Sequence, residues 1–178
     1  MKRKFENYSL YFICLSIIWL SLGCSEDSGN PLVPNGGWIK LTINGQTTTL
    51  KKNVQAGKFG DFSFGVSGED EASGLDLAIA VVTKGDPAKP GSYPFGLLEK
   101  GTAVVDLKDS GRTWGSSYYD CSTMTGVSSS GSVNFTTWSD KKGDSIKGGF
   151  SAKLYEMVSE CDKESITVTV EFEVPRSE

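Results

Sequence analysis

From Ser165 to Val174 the chain alternates without a break, with Ile166, Val168, Val170, Phe172 and Val174 on one face and Thr167, Thr169, Glu171 and Glu173 on the other. A two-residue period belongs to a strand with one face on a core and the other in water. Trp38 to Ile43 alternates in the same way, and Asn44-Gly45 follows it, a dipeptide that accepts the positive φ angles of a type I′ turn. Thr47 to Leu50 resumes in strand-forming residues, so a hairpin is predicted here. Further strands are expected around Phe62 to Val66 and over Thr102–Leu107, Arg112–Tyr119, Ser132–Trp138 and Ser145–Leu154. Leu75 to Val82 is apolar on both faces and is expected to be a central, doubly covered strand. No stretch after residue 37 keeps a 3.6-residue period. Residues 38–178 are therefore expected to form one all-β domain of about nine antiparallel strands, either a sandwich or a barrel.

The N-terminus reads as an export address. Lys2, Arg3 and Lys4 precede an almost uncharged run from Leu10 to Leu22. Those positions span only about 20 Å as a helix, short of the ~30 Å hydrocarbon core, which suits a signal h-region better than a membrane span. Residues 1–23 are thus expected to be a signal peptide. Leu20-Ser21-Leu22-Gly23-Cys24 resembles the lipobox of bacterial lipoproteins, with Ser21 standing where a leucine is usual. Ordinary signal cleavage after Ser21-Leu22-Gly23 would cut the same bond. Cysteine arithmetic separates the two readings. Cys14 leaves with the signal, and Cys24, Cys121 and Cys161 remain. Lipidation of Cys24 accounts for the odd thiol and leaves Cys121 and Cys161 to pair as a disulfide in an oxidising compartment. Residues 24–37, with Pro31, Pro34 and Gly36-Gly37, read as the lipidated cysteine and a flexible tether.

Charge and composition exclude several functions. The whole chain has 18 basic and 22 acidic residues; three of the basic and one of the acidic lie in residues 1–23, so 15 face 21 afterwards, a net charge of −6. No basic stripe exists to neutralise phosphates, so nucleic acid is not an expected partner, and the membrane is expected to be reached through the lipid alone. The chain has no histidine, which removes the commonest general base, the Ser-His-Asp and Cys-His arrangements and the usual zinc ligands. Carboxylate pairs remain as an enzymatic option. Asp61, Asp76, Asp106 and Asp120 lie in or beside strands, but nothing in the sequence singles out two of them. No enzyme, no metal and no cofactor is the expectation. Glu69-Asp70-Glu71 and the Asp140–Asp144 loop lack the spacing of a calcium loop and read as solvated turns.

A family resemblance adds a location. Ile43-Asn44-Gly45, Pro90-Gly91-Ser92-Tyr93, Gly131 to Thr136 ahead of Asp140, Ile146-Lys147-Gly148-Gly149-Phe150 and a last strand through Phe172 occur in an order similar to small lipoproteins of the Bacteroidota that carry an all-β domain of unknown function. Glu26 and Asp27, just after Cys24, resemble the signals that send such proteins to the cell surface. The resemblance implies an outer-membrane, surface-exposed lipoprotein and brings no activity with it.

Aromatic residues are the suggestive group. Trp114, Tyr118 and Tyr119 cluster before Cys121, and Trp138 ends a later strand. On one strand Trp114 and Tyr118 share a face, with Tyr119 opposite. Exposed, they would stack on a glycan or anchor an envelope protein; buried, they would be core or cross-strand packing. The functional expectation is a monomeric binding or interaction module. A structural accessory of an envelope complex and a calycin-like barrel carrying a small apolar ligand are the alternatives.

Overall fold

The computed structural model describes residues 36–59, 63–120, 123, 125–157 and 164–177. Among them are thirteen strands and no helix: β1 Trp38–Ile43, β2 Gln46–Leu50, β3 Lys52–Phe59, β4 Ser63–Asp70, β5 Leu75–Val82, β6 Gly91–Pro94, β7 Ala103–Asp109, β8 Arg112–Gly115, β9 Ser117–Asp120, β10 Thr125–Ser128, β11 Ser132–Thr137, β12 Ser145–Glu156 and β13 Ser165–Pro175. Cys24, Cys121 and Cys161 lie outside the described residues, as do residues 1–23 and most of the 24–37 segment.

Nine strands follow one another in the order β2-β1-β13-β12-β8-β7-β5-β4-β3, every ladder antiparallel. The two ends of this path are one piece of chain. Only Lys51 separates β2 from β3, Asn53 adopts φ 49°, and the pairing of β3 with β4 slips between Lys52 and Gln55. That corner lets the chain leave β1 and join β4, which turns the sheet into a nearly closed barrel. Ser177 seals the seam by donating its N–H to the Ala56 carbonyl at 2.8 Å, beside a parallel bridge between Ala56 and Arg176.

The wall forks at β12. Tyr155 and Glu156 pair with β8, whereas Lys147, Gly148 and Gly149 pair with β11, which in turn pairs with β6. Phe95, just past β6, bridges to Ala103 at the start of β7. The barrel is therefore one strand wider at the end that carries Trp38, Val82, Thr137 and Pro175.

The alternation of β13 holds along its whole length, since Val168, Val170, Phe172 and Val174 are buried and face Ile39, Leu41, Ile146, Phe150 and Leu154 from its two neighbours in one core. Each such side chain contributes about 1.5–3 kcal/mol of hydrophobic stabilisation when fully buried. The β1–β2 turn also forms as expected. Asn44 and Gly45 both take positive φ, 48° and 88°, and the Asn44 side-chain oxygen accepts from the Thr167 N–H at 3.1 Å.

Two expectations need correction. Leu75–Val82 is central in order but not doubly covered: Asp76, Ala78 and Ala80 on its outward face stay half-buried, because a one-layer barrel wall has nothing outside it. Arg112–Tyr119 is not one strand. It breaks at Ser116, whose hydroxyl accepts from the Val105 N–H at 2.9 Å and whose carbonyl accepts from the Ser129 N–H at 2.7 Å. Beyond that knot the chain leaves the wall as the separate β9–β10 hairpin.

Candidate functional site

The break at Ser116 parts the aromatic residues singled out in the sequence. Trp114 is 4% exposed and belongs to the core; the Arg112 guanidinium carbon lies 4.5 Å from its ring centroid, and its indole Nε1 has no hydrogen-bond partner among the described residues. Arg112 in turn holds Glu156 with two hydrogen bonds of 2.7 Å and also pairs with Glu164, and these carboxylates raise its pKa further. Tyr118 sits on the other side of the wall, half-buried, with its ring centroid 4.4 Å from that of Tyr155. Tyr119 is half-buried opposite Gly126 in the hairpin. The three do not form one surface.

The wide end of the barrel does form one. The ring of Trp138, just after β11, meets Phe64 at 4.0 Å and 61°, and Phe135 at 5.1 Å and 75°. The guanidinium carbon of Arg176 lies 4.7 Å from the Phe64 centroid, in a residue only 6% exposed. These groups, with Lys58, Asp86 and Asp140, line a depression of about 540 Å³. A second depression, about 440 Å³, adjoins it across Thr83, Asp86 and Pro87 and includes Lys89, Tyr93 and Lys100.

Local chemistry fixes the rim. Lys84 and Gly85 take positive φ, 49° and 89°, and Asp86 N–H closes the turn on the Thr83 carbonyl at 3.2 Å. Lys100 lies 2.5 Å from the Asp86 carboxylate and, through this hydrogen bond and its charge, lowers the pKa of Asp86. The Tyr93 hydroxyl donates to the Lys89 carbonyl at 2.8 Å and accepts from the Lys89 N–H at 3.1 Å, which holds the far side of the loop. The Trp138 indole N–H points to Asp140 at 3.4 Å, and Ser139 donates to Asp144 at 2.6 Å. The acidic 140–144 segment is thus a turn braced by its own side chains, and among the described residues no three acidic, cysteine or histidine groups gather as metal ligands.

The strand carboxylates lie elsewhere. Asp76 and Asp106 project from the outer wall of adjacent strands, offset by two residues in register, with Lys108 3.8 Å from Asp76. Burial raises both pKa values, that of Asp106 to about 6, with Lys108 opposing. Neither lines the two depressions. Asp120 accepts from the Thr123 N–H at 3.3 Å, and Asp61 is outside the described residues.

Of the aromatic candidates only Trp138 reaches the wide end, beside Asp140 from the acidic loop. Lys58, Phe64, Asp86 and Arg176 went unnoticed as site residues; a basic residue directly after an apolar closing strand was the one available hint. No family model, no curated protein and no solved structure matches the chain.

Proposed function

We propose that this chain is a lipid-anchored envelope protein, exported by residues 1–23 and attached through Cys24, whose barrel is a binding module for a saccharide seated at its wide end. The observation that carries the reading is the half-buried Trp138 ring at a depression of about 540 Å³ whose rim is charged and polar. A sugar ring presents a C–H face and an edge of hydroxyl groups. An aromatic platform takes the face, and carboxylate, ammonium and hydroxyl side chains take the edge. The volume suits a small ligand, since such sites run from about 300 to 1,000 Å³.

The alternatives have less behind them. A carrier of an apolar ligand needs interior space, whereas Phe172, Leu41, Leu77, Ile79, Leu107 and Leu154 fill the middle with under 2% exposure each. An accessory docked on protein needs a broad apolar face. Among the described residues Leu97 and Leu98, 50% and 40% exposed, are the large hydrophobic residues that offer one.

Glycan-array screening of the exported chain in detergent, followed by calorimetry, tests the reading. A saccharide should bind, and Trp138→Ala should weaken it by about tenfold or more with the fold intact, as loss of a stacking platform does. Equal binding by Trp138→Ala, or no saccharide bound at all, overturns the proposal. Intact mass and detergent partitioning test the anchor: Cys24→Ala should yield a water-soluble chain. The Cys121–Cys161 pairing, part of the same export reading, is supported by the Tyr118–Tyr155 contact, which ties the hairpin leading to Cys121 to the strand leading towards Cys161. Non-reducing peptide mapping should find the linked peptides; two free thiols would refute it.

A further inference from the structure

The two depressions at the wide end share one plan. Each has a half-buried aromatic ring in its wall, Trp138 in the larger and Tyr93 in the smaller. Both rings meet the buried Phe135 edge-on, with centroids 5.1 Å and 5.8 Å from its own. The triangle they make with Phe135 puts the two rings no more than about 11 Å apart. The Tyr93 proton is committed to the Lys89 carbonyl, so the face of the ring is what Tyr93 chiefly offers a ligand. Thr83, Asp86 and Pro87 belong to both depressions and form the crossing between them. Lys100 holds Asp86 in place there. A carboxylate has about four lone-pair positions, and one ammonium leaves the others to hydroxyl donors. Lys89 is exposed, lines only the smaller depression and brings ammonium donors to it. A pyranose unit with its linking oxygen advances a glycan by about 5 Å, as single bonds of roughly 1.5 Å dictate. The two rings therefore lie one or two sugar units apart.

We infer that the ligand of this site is an oligosaccharide laid across both depressions, one unit on Trp138 and the next, or next but one, on Tyr93, with Asp86 accepting from hydroxyl groups at the crossing. The inference rests on the saccharide reading and extends it from one sugar to a short run of them. A single unit uses Trp138 alone. The second ring adds its stacking to a ligand already immobilised by the first, so most of the entropic cost of association does not recur. Length therefore sets selection, up to the span of the two depressions and no further.

The test uses the exported chain in detergent and calorimetry with size series of one to six units: cello-, xylo-, manno- and chito-oligosaccharides, and oligomers cut from any glycan the array returns. In the series that binds, affinity should rise about tenfold or more from one unit to three and change little from four to six. Tyr93→Ala should cancel most of that rise while leaving the single unit as it was, a readout that mere destabilisation would not produce. Trp138→Ala should weaken every member. Tyr93→Phe, which keeps the ring, should keep the rise. Circular dichroism checks each fold, and Lys89→Ala, at an exposed position, should reduce the rise several-fold even where Tyr93→Ala fails to fold. A single unit that binds as tightly as its trimer, still sensitive to Trp138→Ala, overturns the inference and leaves the saccharide reading standing. So does a rise that continues evenly to six units, or one that survives both Tyr93→Ala and Lys89→Ala. Binding by no series, together with an empty glycan array, fells the saccharide reading itself.

Discussion

Asp106 illustrates how one residue couples the barrel wall to pH. Burial raises its carboxyl from the ordinary 3.8 to about 6, with Lys108 only partly opposing. A carboxyl whose pKa is raised by folding binds its proton more tightly in the native state, so its contribution is favourable below about pH 4 and is lost as pH climbs to 6. Two pH units would correspond to nearly 3 kcal/mol, and the partial exposure of the residue reduces this to about 1–2 kcal/mol. Asp106→Asn should therefore raise stability in urea by that amount at pH 7 and leave it unchanged at pH 4. An equal effect at both values would reject the account. Trp114 carries a different lesson. It fills the core, so Trp114→Ala should cost about 3–5 kcal/mol by cavity formation. Trp114→Phe, which also deletes the unpartnered indole N–H, should cost less than half of that. Thermal melts separate the two, and any ligand binding lost in Trp114→Ala is to be read as unfolding.

Among elements, strands with strict alternation were legible and strands made of small or mixed residues were not. β1, β5, β7, β12 and β13 could be read because most of their inward positions are Ile, Leu, Val or Phe at period two, and β2 because the Asn44-Gly45 turn leads into strand-forming threonines. β6, Gly91-Ser92-Tyr93-Pro94, has no such pattern and exists because β11 offers it a partner. The division of Arg112–Tyr119 could not be read either, since Ser116 ends β8 through hydrogen bonds to Val105 and Ser129, both remote in sequence. Gly148 shows the same dependence on neighbours. It faces inward on β12, where a Cβ would stand 2.6 Å from Cζ of Phe172 and press on the Asn134 carbonyl. The carbonyl is backbone and cannot step aside, so Gly148→Ala should cost about 1–3 kcal/mol and loosen β11, which urea titration and hydrogen exchange in residues 132–137 would register. The β9–β10 hairpin is separate from the wide end. Tyr118→Ala should lower stability by no more than about 1 kcal/mol, its ring being half-buried, and should leave saccharide binding as it was.

At the scale of the whole molecule, the site was hidden because no short stretch contains it. Lys58, Phe64, the Thr83–Ala88 loop, Trp138–Asp140 and Arg176 come from five separate parts of the chain and meet only where the barrel closes. Alternation says which face of a strand is inside; it is silent on which strand ends share a rim. The sandwich-or-barrel choice was hidden for a similar reason, because it turns on the corner at Lys51–Asn53. Closure also dictates the order of events in folding. β1 pairs with β13 through Trp38–Glu173 to Ile43–Val168, so the first and last strands are neighbours. A contact between residues some 130 positions apart must close a long loop before it stabilises anything, and barrels dominated by such contacts fold in milliseconds to seconds. A chain stopped before Ser165 would leave the inner edges of β1 and β12 both unpaired and the Val-rich partner of both missing. The barrel therefore cannot close until β13 has been made, however much of the chain before it has already appeared.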